Sequence, residues 1–454
     1  MKRWIVALAI VCGLVQPASA HVGSPDVFFE GDAGPYRLFV SIRTPDVIPG
    51  IATIEIRTDA TDVTAIAVVP MRLTGAGSQL PPTPDAAERS AVDPKFFTAS
   101  LWLMERGSLQ VRVTVEGARG TGTLAIPVPA VAQRTLAMDR GLGALLFGLM
   151  LVLVLAVISI LAGAIREARL EPGVLPTARD HRRSRIALVI AGVIVTGVVV
   201  AGNAWWNLEA DTYDRMIAKP WNLALRRDGC TITVPKIDAQ LLPDHGHDMH
   251  LFVVRVPVLD QLAHLHPTRL ASGELAQQLP SLPAGRYRVF ADIVVANGFP
   301  VTGTGELELP ELTCPALAGD DSAWHGSSEL GDGLRMIWDH PQLHANQAAR
   351  LEFRVEAIDG SAVMLEPYMG MAGHAAIVRV EPTVFAHLHP AGTIAMPALD
   401  LARGGDPHAG HVMPVASTIT FPYGFPQAGS YRVFVQVKHA GHVLTGAFTV
   451  EIAP

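Results

Sequence analysis

Two long uncharged stretches constrain this chain more than any other feature of its sequence. Residues 141–165 read GLGALLFGLMLVLVLAVISILAGAI, and a second apolar stretch runs from Ile186 to Trp205. At about 1.5 Å per residue, a helix of either length crosses a bilayer core about 30 Å thick. The mean hydropathy of +0.31 and the 17% charged content agree with a chain that lies partly in lipid. We therefore predict two transmembrane helices, over residues 141–165 and 186–206.

The segment between these stretches is rich in arginine. Its six arginines are Arg166, Arg169, Arg179, Arg182, Arg183 and Arg185. Short basic loops stay on the cytoplasmic side under the positive-inside rule. Residues 166–185 are therefore predicted to be a cytoplasmic loop of a bacterial inner-membrane protein, with both large flanking parts in the periplasm.

The N-terminus has the order of a secretory signal. A charged start, MKR, precedes an apolar stretch from Trp4 to Val15 and the small-residue sequence PASA, which ends at Ala20. Cleavage there makes residues 1–20 a signal peptide and His21 the mature N-terminus. The alternative is an uncleaved anchor, although the apolar stretch is short for a span.

The cysteines are also informative for an exported chain. Of the three, Cys12 lies in the signal, which leaves Cys230 and Cys314. An even pair in an exported protein predicts one disulfide, and the alternative is two buried free thiols in separate strands.

Residues 21–135 alternate apolar and polar positions in short stretches. Examples are YRLFVSI from Tyr36, ATIEI from Ala52 and QVRVTV from Gln110, separated by glycine and proline. This spacing predicts an N-terminal β-sandwich. The proline-rich residues 127–132 are predicted to be a linker to the first helix.

The second half of the chain contains an internal duplication. HLFVVRVPVLDQLAHLHP, starting at His250, matches HAAIVRVEPTVFAHLHP, starting at His374. Each copy closes with a Tyr-Arg-Val-Phe strand, a turn and a further strand. We predict two tandem β-modules, over residues 228–315 and 335–454. The expected fold class is mainly β: immunoglobulin-like β-sandwich domains, one N-terminal and two C-terminal, plus two transmembrane α-helices.

The duplication repeats a set of histidines. The aligned pairs are His250 with His374, His264 with His387, and His266 with His389. Residues i and i+2 of a strand point to one face, so each His-Leu-His is expected to converge on one ion, completed by a third histidine from a neighbouring strand. Imidazole binds copper, zinc, nickel or iron. The alternative is half-buried surface histidines that persist only because the module was copied.

Methionines near the second copy favour copper. Met369 and Met371 lie in the sequence YMGMAGH, just before His374. Soft sulfur beside imidazole suits Cu(I), so a copper ion is the expected cofactor, with zinc as the second choice. The alternative is that both methionines fill gaps in the core, which is the commoner use of this residue.

Histidine is concentrated in the C-terminal half. All but two of the 17 histidines lie between His245 and His442, and DHGHDMH from Asp244 and DPHAGHVM from Asp406 have the composition of ligand-rich loops. Both loops can equally be plain polar turns. A mature N-terminal His21 offers an α-amino group and a ring nitrogen to one metal ion.

Other classes of function lack support in the sequence. The formal net charge is -7 and basic residues are not clustered on a folded segment, so a nucleic-acid partner is not expected. Hydrolase and kinase motifs such as Gly-x-Ser-x-Gly, a phosphate loop or His-Glu-x-x-His do not occur. We therefore predict a protein without enzymatic activity.

The C-terminal half resembles a known family. PYMGMAGHAAIVRV, VFAHLHPAGT and FPYGFPQAGSYRVFVQVK are similar to YtkA-like and related immunoglobulin-like domains of exported bacterial proteins. The resemblance implies a β-sandwich with metal ligands at His374, His387 and His389, and, through the repeat, at His250, His264 and His266. The N-terminal HVGSP resembles CopC-type periplasmic copper carriers, whose mature chain also starts with histidine, but residues 22–140 hold no second histidine.

The features together predict a membrane-anchored periplasmic protein that captures and transfers copper, with solvent-facing ligands that exchange the ion with a periplasmic protein partner. The alternative is a structural or interaction module of the cell envelope, which sandwich domains commonly provide. A sensor is less suited because the cytoplasmic loop is short, and a transporter because neither span carries a central ionisable residue.

Overall fold

The structure is a computed structural model that describes residues 21–22 (backbone only), 26–327, 329–381, 383–405 and 415–454. The predicted signal peptide and the loop from Asp406 to Met413 lie outside these residues. The chain divides into two compact units, which are described separately. One unit comprises the β-rich parts, up to Val131 and from Lys219 onward, and the other comprises Ala132–Ala218.

The N-terminal part is built from antiparallel strands. The bounds are β1 (His21–Val22), β2 (Val27–Ala33), β3 (Tyr36–Arg43), β4 (Gly50–Thr58), β5 (Val63–Arg72), β6 (Asp85–Ala86), β7 (Glu88–Arg89), β8 (Phe96–Leu103), β9 (Gly107–Gly117) and β10 (Gly120–Ala130), with a short 3-10 helix at Ala76–Gln79. Two sheets result, with the orders β2-β3-β4-β8-β7 and β10-β9-β5-β6. The alternating stretches from Tyr36, Ala52 and Gln110 are strands as predicted.

The prediction of a proline-rich linker over residues 127–132 is wrong for most of its length. Pro127 and Pro129 belong to β10, where they lie opposite Gln110 and Ser108 of β9. The strand tolerates them because β10 is at the edge of its sheet. Proline lacks an N–H, and an edge strand leaves alternate N–H groups unpaired in any case.

The next strands along the chain form the two sheets of the first C-terminal module. These are β11 (Trp221–Asn222), β12 (Arg226–Asp228), β13 (Thr231–Val234), β14 (Leu241–Leu242), β15 (His250–Arg255), β16 (Leu262–Leu265), β17 (Thr268–Arg269), β18 (Leu275–Gln278), β19 (Gly285–Val295), β20 (Pro300–Leu309) and β21 (Ser322–Trp324). The larger sheet has the order β11-β20-β19-β15-β16-β21, with β14 also on β19, and the smaller has β12-β13-β18-β17. Cys230 and Cys314 form a disulfide across this module.

The second module has its own larger sheet, equivalent to that of the first module. Its elements are β22 (Leu334–Ile337), β23 (Ala348–Ala357), β24 (His374–Arg379), β25 (Val384–Leu388), α3 (Met396–Arg403), β26 (Thr418–Gly424), β27 (Gly429–His439) and β28 (His442–Ile452). Strand orders are β1-β25-β24-β27-β28 and β22-β23-β26. The order β25-β24-β27-β28 reproduces β16-β15-β19-β20, so the duplication in the sequence is also a duplication of structure.

The two larger sheets are buried on both faces, which explains why their strands read as nearly continuous apolar sequences. One face of each sheet packs against the core of its own module. Val253 and Ala291 lie on this face in the first module, and Ile377 and Val435 lie on it in the second. The opposite faces meet in one layer that contains residues of both modules. This inter-module layer includes Phe252, Val254, Leu262, Phe290, Ala376, Val378, Phe385 and Phe434.

The N-terminal part contacts the second module. Phe28 belongs to the core of that module, and the backbone N–H of Thr393 donates to the Phe28 carbonyl at 3.0 Å. Gly392 permits this approach, because a Cβ at this position would lie 1.8 Å from the Phe28 oxygen. The loop after β25 is therefore fixed by the N-terminal part.

The separate helical unit contains α1 (Arg140–Glu167) and α2 (Ala178–Arg215). The Asp139 side chain accepts from the Leu142 N–H and caps α1, while Thr177 and Asp180 form a capping box at α2. Both helices are long and apolar enough to cross a membrane, by length and composition.

Candidate metal centre

Eight histidines converge between the two larger sheets. They are His245, His247, His250, His264, His266, His374, His387 and His389, and each ring centroid lies within 6.3 Å of at least one other. The strand register explains this convergence. His250, Phe252 and Val254 alternate along β15 so that all three point to the inter-module layer, and β24 repeats the pattern from His374. The histidines therefore continue that layer.

Two groups of three histidines bring their ring nitrogens within 4.8 Å of one another. We call His250, His264 and His387 the first triad, and His245, His374 and His389 the second triad. Each triad contains residues of both modules. The arrangement therefore differs from the expected one site per module, and the two imidazoles of each His-Leu-His do not share a triad.

The physical reason lies in the contact between the sheets. The larger sheets of the two modules face each other across the inter-module layer, so imidazoles of one module lie beside those of the other. The His264 ring lies 5.7 Å from that of His387 on the other module. A histidine of the other module thus completes each triad.

The first triad has the spacing of a metal site. His250 Nδ1 lies 3.1 Å from His264 Nε2. Two nitrogens bound to one ion at about 2.0–2.1 Å with tetrahedral angles lie about 3.3–3.4 Å apart. These two rings are therefore close to a ligating arrangement.

The far nitrogens of this triad are held by acceptors. His264 Nδ1 lies 2.7 Å from Gln436 Oε1, and His250 Nε2 lies 3.2 Å from the Asp244 carbonyl oxygen. A ring N–H that donates to such an acceptor fixes the tautomer and leaves the other nitrogen with a lone pair for metal.

His387 follows the same pattern. Its Nδ1 lies 3.4 Å from Asp292 Oδ2, while its Nε2 is buried and has no hydrogen-bond partner among the described residues. A buried nitrogen without a partner is costly unless a ligand satisfies it. The first triad thus offers His250 Nδ1, His264 Nε2 and His387 Nε2.

The second triad is similar. His245 Nε2 lies 3.4 Å from His389 Nε2, and His389 Nδ1 lies 2.9 Å from the Ile394 carbonyl oxygen, to which it can donate. Neither ring nitrogen of His374, which is 0% exposed, has a hydrogen-bond partner among the described residues. This orphaned imidazole is the clearest sign that the centre accommodates a ligand.

The electrostatics of the cluster keep the imidazoles neutral. Burial, followed by repulsion from neighbouring imidazoles, holds the pKa of His250, His264, His374 and His387 well below the ordinary 6.5. Burial also raises the pKa of the Asp292 carboxyl from 3.8 to about 7. Neutral imidazole is the form that binds metal, so the rings require no deprotonation near neutral pH.

The prediction that each His-Leu-His faces solvent is wrong. His264 and His266 are 0% and 5% exposed, His389 is 3% exposed, and the His387 side chain is 6% exposed. The cause is the inter-module layer, which no single copy of the sequence reveals. The side chains of these histidines are therefore buried, not exposed to solvent.

His266 and His247 adjoin the triads without belonging to either. Their rings stack at 4.1 Å, and His266 Nδ1 lies 2.9 Å from Asp321 Oδ1. The other ring nitrogen of His266 is buried without a partner among the described residues. Of the six repeat histidines, His266 is thus the one outside both triads, although its ring is oriented as a ligand would be.

The other predicted ligands lie in different settings. Met369 and Met371 are 8% and 0% exposed and lie in a turn just before β24. The backbone of His21 pairs in parallel with Val384 of β25, which places His21 at the edge of the second module's sheet. The histidines of the loop from Asp406 lie outside the described residues.

The sequence prediction did not single out His245 or the acceptors Gln436, Asp292 and Asp321. His245 was only a member of a histidine-rich loop. The repeat could have indicated His245, because this residue is equivalent to the predicted ligand Met369. The two residues occupy equivalent turns, with φ of 53° and 50°, and each is followed by a glycine. Asp292 and Gln436 lie on strands β19 and β27, whose proximity to the other module depends on the sheet contact, and Asp321 immediately precedes β21.

Comparison with known proteins adds little about function. Residues 328–454 match a family model described as Domain of unknown function (DUF8832). No curated protein matches the chain. Because the family covers less than half of the chain, it describes the second module alone.

Solved structures with a distant likeness include several surface proteins. The tetra-tandem repeat in the extending region of a large adhesion protein is 9% identical, with 90% of this chain and 72% of that chain covered and a TM-score of 0.16. The Escherichia coli adhesin FdeC is 12% identical, with 94% and 100% covered and a TM-score of 0.16. E. coli alpha-2-macroglobulin is 9% identical, with 96% and 23% covered and a TM-score of 0.19. Scores this low carry no conclusion about this chain, and none of these matches names a YtkA-like or CopC-like protein.

Proposed function

We propose that this chain is a membrane-anchored protein of the bacterial envelope that binds copper between its two C-terminal modules and serves copper capture or homeostasis without catalysis. The observation that carries the proposal is the pair of buried triads, with the orphaned His374 at its centre. Buried polar atoms are nearly always satisfied in folded proteins, and a metal ion satisfies several imidazoles at once.

Copper is favoured over zinc by the ligand chemistry. The triads offer imidazole nitrogens, with buried carboxyls only at their margins, and structural zinc sites are commonly closed by thiolates. The cysteines Cys230 and Cys314 are engaged in a disulfide and cannot serve. Neutral imidazole donors bind either copper oxidation state, with Cu(II) the tightest of the divalent ions on nitrogen sites.

The burial of the ligands affects the mode of transfer. An ion held between two sheets leaves only when the inter-module layer opens, so release is slower than from the solvent-facing site expected from the sequence. We propose that the centre retains copper tightly and that a partner protein receives the ion during opening.

Anchoring belongs to the same proposal. Helices α1 and α2 are long and apolar enough to span a bilayer, and the arginines between them favour a cytoplasmic loop. The β-rich parts, which we propose to be immunoglobulin-like sandwiches, would then lie in the periplasm, where the disulfide is stable.

The test is copper and zinc content and affinity of the full chain in detergent, by elemental analysis and competition titration. The variant replaces His264, His266, His387 and His389 by Ala, and His340→Ala together with His442→Ala, two exposed histidines, is the matched control. The proposal expects stoichiometric copper in the wild type and control and its loss in the fourfold variant. The absence of tight metal from the wild type would contradict it and favour an interaction module.

A further inference from the structure

The two triads are too close together to be independent sites. Within the first triad the ring centroids lie 5.0, 5.4 and 5.7 Å apart, and within the second 4.9, 5.1 and 5.1 Å apart. Between the triads the distances are of the same size. The His387 ring lies 4.8 Å from that of His389 and 5.5 Å from that of His374, and the His250 ring lies 6.1 Å from that of His245. The six rings therefore form one cluster.

We propose that the two triads form a single dinuclear copper centre, with one ion on each triad and the pair close enough to share a bridging ligand. This inference rests on the proposed function and goes beyond it in stoichiometry and electronic structure. Two-metal sites in proteins have separations of about 3.5–4 Å. Rings on either side of the triad boundary are about as close as rings within a triad, so the two ions would be near neighbours.

The charge of the site supports a copper pair. Two buried cations repel each other and are costly to remove from water, so nearby negative charge is required. Asp292 Oδ2 lies 3.4 Å from His387 of the first triad, and Asp244 Oδ1 lies 3.4 Å from His245 of the second. Asp321 Oδ1 also lies 2.9 Å from His266 Nδ1, beside the first triad, so several carboxyl groups surround the proposed pair of ions.

Oxidation to two Cu(II) ions adds two positive charges, which favours a bridging anion with negative charge. A hydroxide derived from a water molecule, bound between two Cu(II) ions, supplies that charge and couples the unpaired electrons of the two ions. The structure of the cluster thus predicts a spectroscopic property that two isolated copper sites would not have.

The experiment loads the full-length chain with Cu(II), counts copper per chain by elemental analysis and measures the electron paramagnetic resonance intensity. The proposal expects two copper ions per chain with most of the signal lost through coupling. In His389→Ala, which removes one ligand of the second triad, it expects one copper ion per chain and the full signal of an isolated Cu(II). His442→Ala, an exposed turn position, is the control that should behave as the wild type.

The opposing outcomes are distinct. Two copper ions that both retain full signal intensity, or a single ion per chain in the wild type, would overturn the dinuclear centre while leaving the proposed function intact. A wild type that binds no copper at all would overturn the proposed function itself. If His389→Ala fails to fold by circular dichroism, His245→Ala removes a different ligand of the same triad and gives the same readout.

Discussion

Gln436 and Asp292 occupy equivalent strand positions in the two modules. Asp292 lies opposite His250 in its own sheet, and Gln436 lies opposite His374. Each reaches across to the other module, where Gln436 contacts His264 and Asp292 contacts His387. The acceptors that orient the ligands thus also tie the two modules together.

Gln436→Leu is expected to weaken metal binding about 10- to 100-fold, the usual cost of losing an acceptor behind a ligand imidazole. Leucine keeps most of the volume but removes the oxygen 2.7 Å from His264 Nδ1, so the ring loses its fixed tautomer. Competition titration of the full chain measures the change. Gln347→Ala, an exposed glutamine, is the control. An unchanged affinity in Gln436→Leu would contradict the role assigned to this side chain.

The stability of the metal-free protein is expected to fall as the pH falls below about 6.5. Four imidazoles have folded-state pKa values well below 6.5, so in this range the unfolded chain binds more protons than the folded one. Each net proton contributes about 1.4 kcal/mol per pH unit to the slope of the free energy of unfolding. Urea unfolding with a chelator present, repeated between pH 5 and 8, measures this slope.

Asp292 acts in the opposite direction. Its pKa rises from 3.8 to about 7 on folding, so its contribution to stability is lost as the pH rises through this interval. One carboxyl does not outweigh four imidazoles, and the net slope between about pH 5 and 6.5 stays positive. In His374→Phe the pH slope of the free energy of unfolding is expected to decrease by about 1.4 kcal/mol per pH unit, the contribution of one proton. A flat profile for the wild type would contradict the neutral buried cluster.

At the scale of the elements, the sequence predicts each strand of the duplicated modules better than it predicts their mutual contact. The repeats from His250 and His374 and the closing Tyr-Arg-Val-Phe sequences are strands in both modules. The apolar residues on both faces of β15 and β24 indicate the contact between the modules. A strand that is apolar on one face needs one partner layer, whereas these strands need two. The second layer is the other module, and it determines which histidines meet.

The inter-module layer is expected to support metal binding as well as stability. Phe385→Ala removes a 1% exposed ring that stacks on Phe290 at 4.1 Å, and Phe353→Ala removes a 0% exposed ring of the second module's own core. Both should lower the free energy of unfolding by about 3–5 kcal/mol. Only Phe385→Ala should also weaken copper binding, because it loosens the contact between the sheets. Equal copper affinity in the two variants, measured by competition titration, would contradict this coupling.

At the scale of the whole molecule, the N-terminal part is more than a separate carrier domain. Phe28 lies in the core of the second module, and the Glu30 side chain pairs with Arg350 at 3.0 Å. The loop that these contacts fix, near Gly392, follows His389 of the second triad directly. A fragment that begins at residue 228 lacks this support, so binding experiments require the full chain.

Membrane topology gives a prediction of its own. In intact spheroplasts, Leu175→Cys is expected to resist a membrane-impermeant thiol reagent, and Leu80→Cys to react with it. Both positions are well exposed, at 84% and 77%, so accessibility alone does not separate them. The positive-inside rule predicts that the arginine-rich loop, which includes residue 175, lies in the cytoplasm. Labelling of Leu175→Cys before lysis would contradict the proposed anchoring.

The most direct test of the central claim is anomalous diffraction at the copper absorption edge from crystals of the copper-loaded full chain. The account predicts anomalous peaks between β15 and β16 on one side and β24 and β25 on the other. One peak should lie about 2.0–2.1 Å from the His264 and His387 Nε2 atoms, the usual distance from imidazole to metal, and the other should lie at the second triad. Peaks confined to exposed histidines such as His340 and His442, with none between the two sheets, would contradict it.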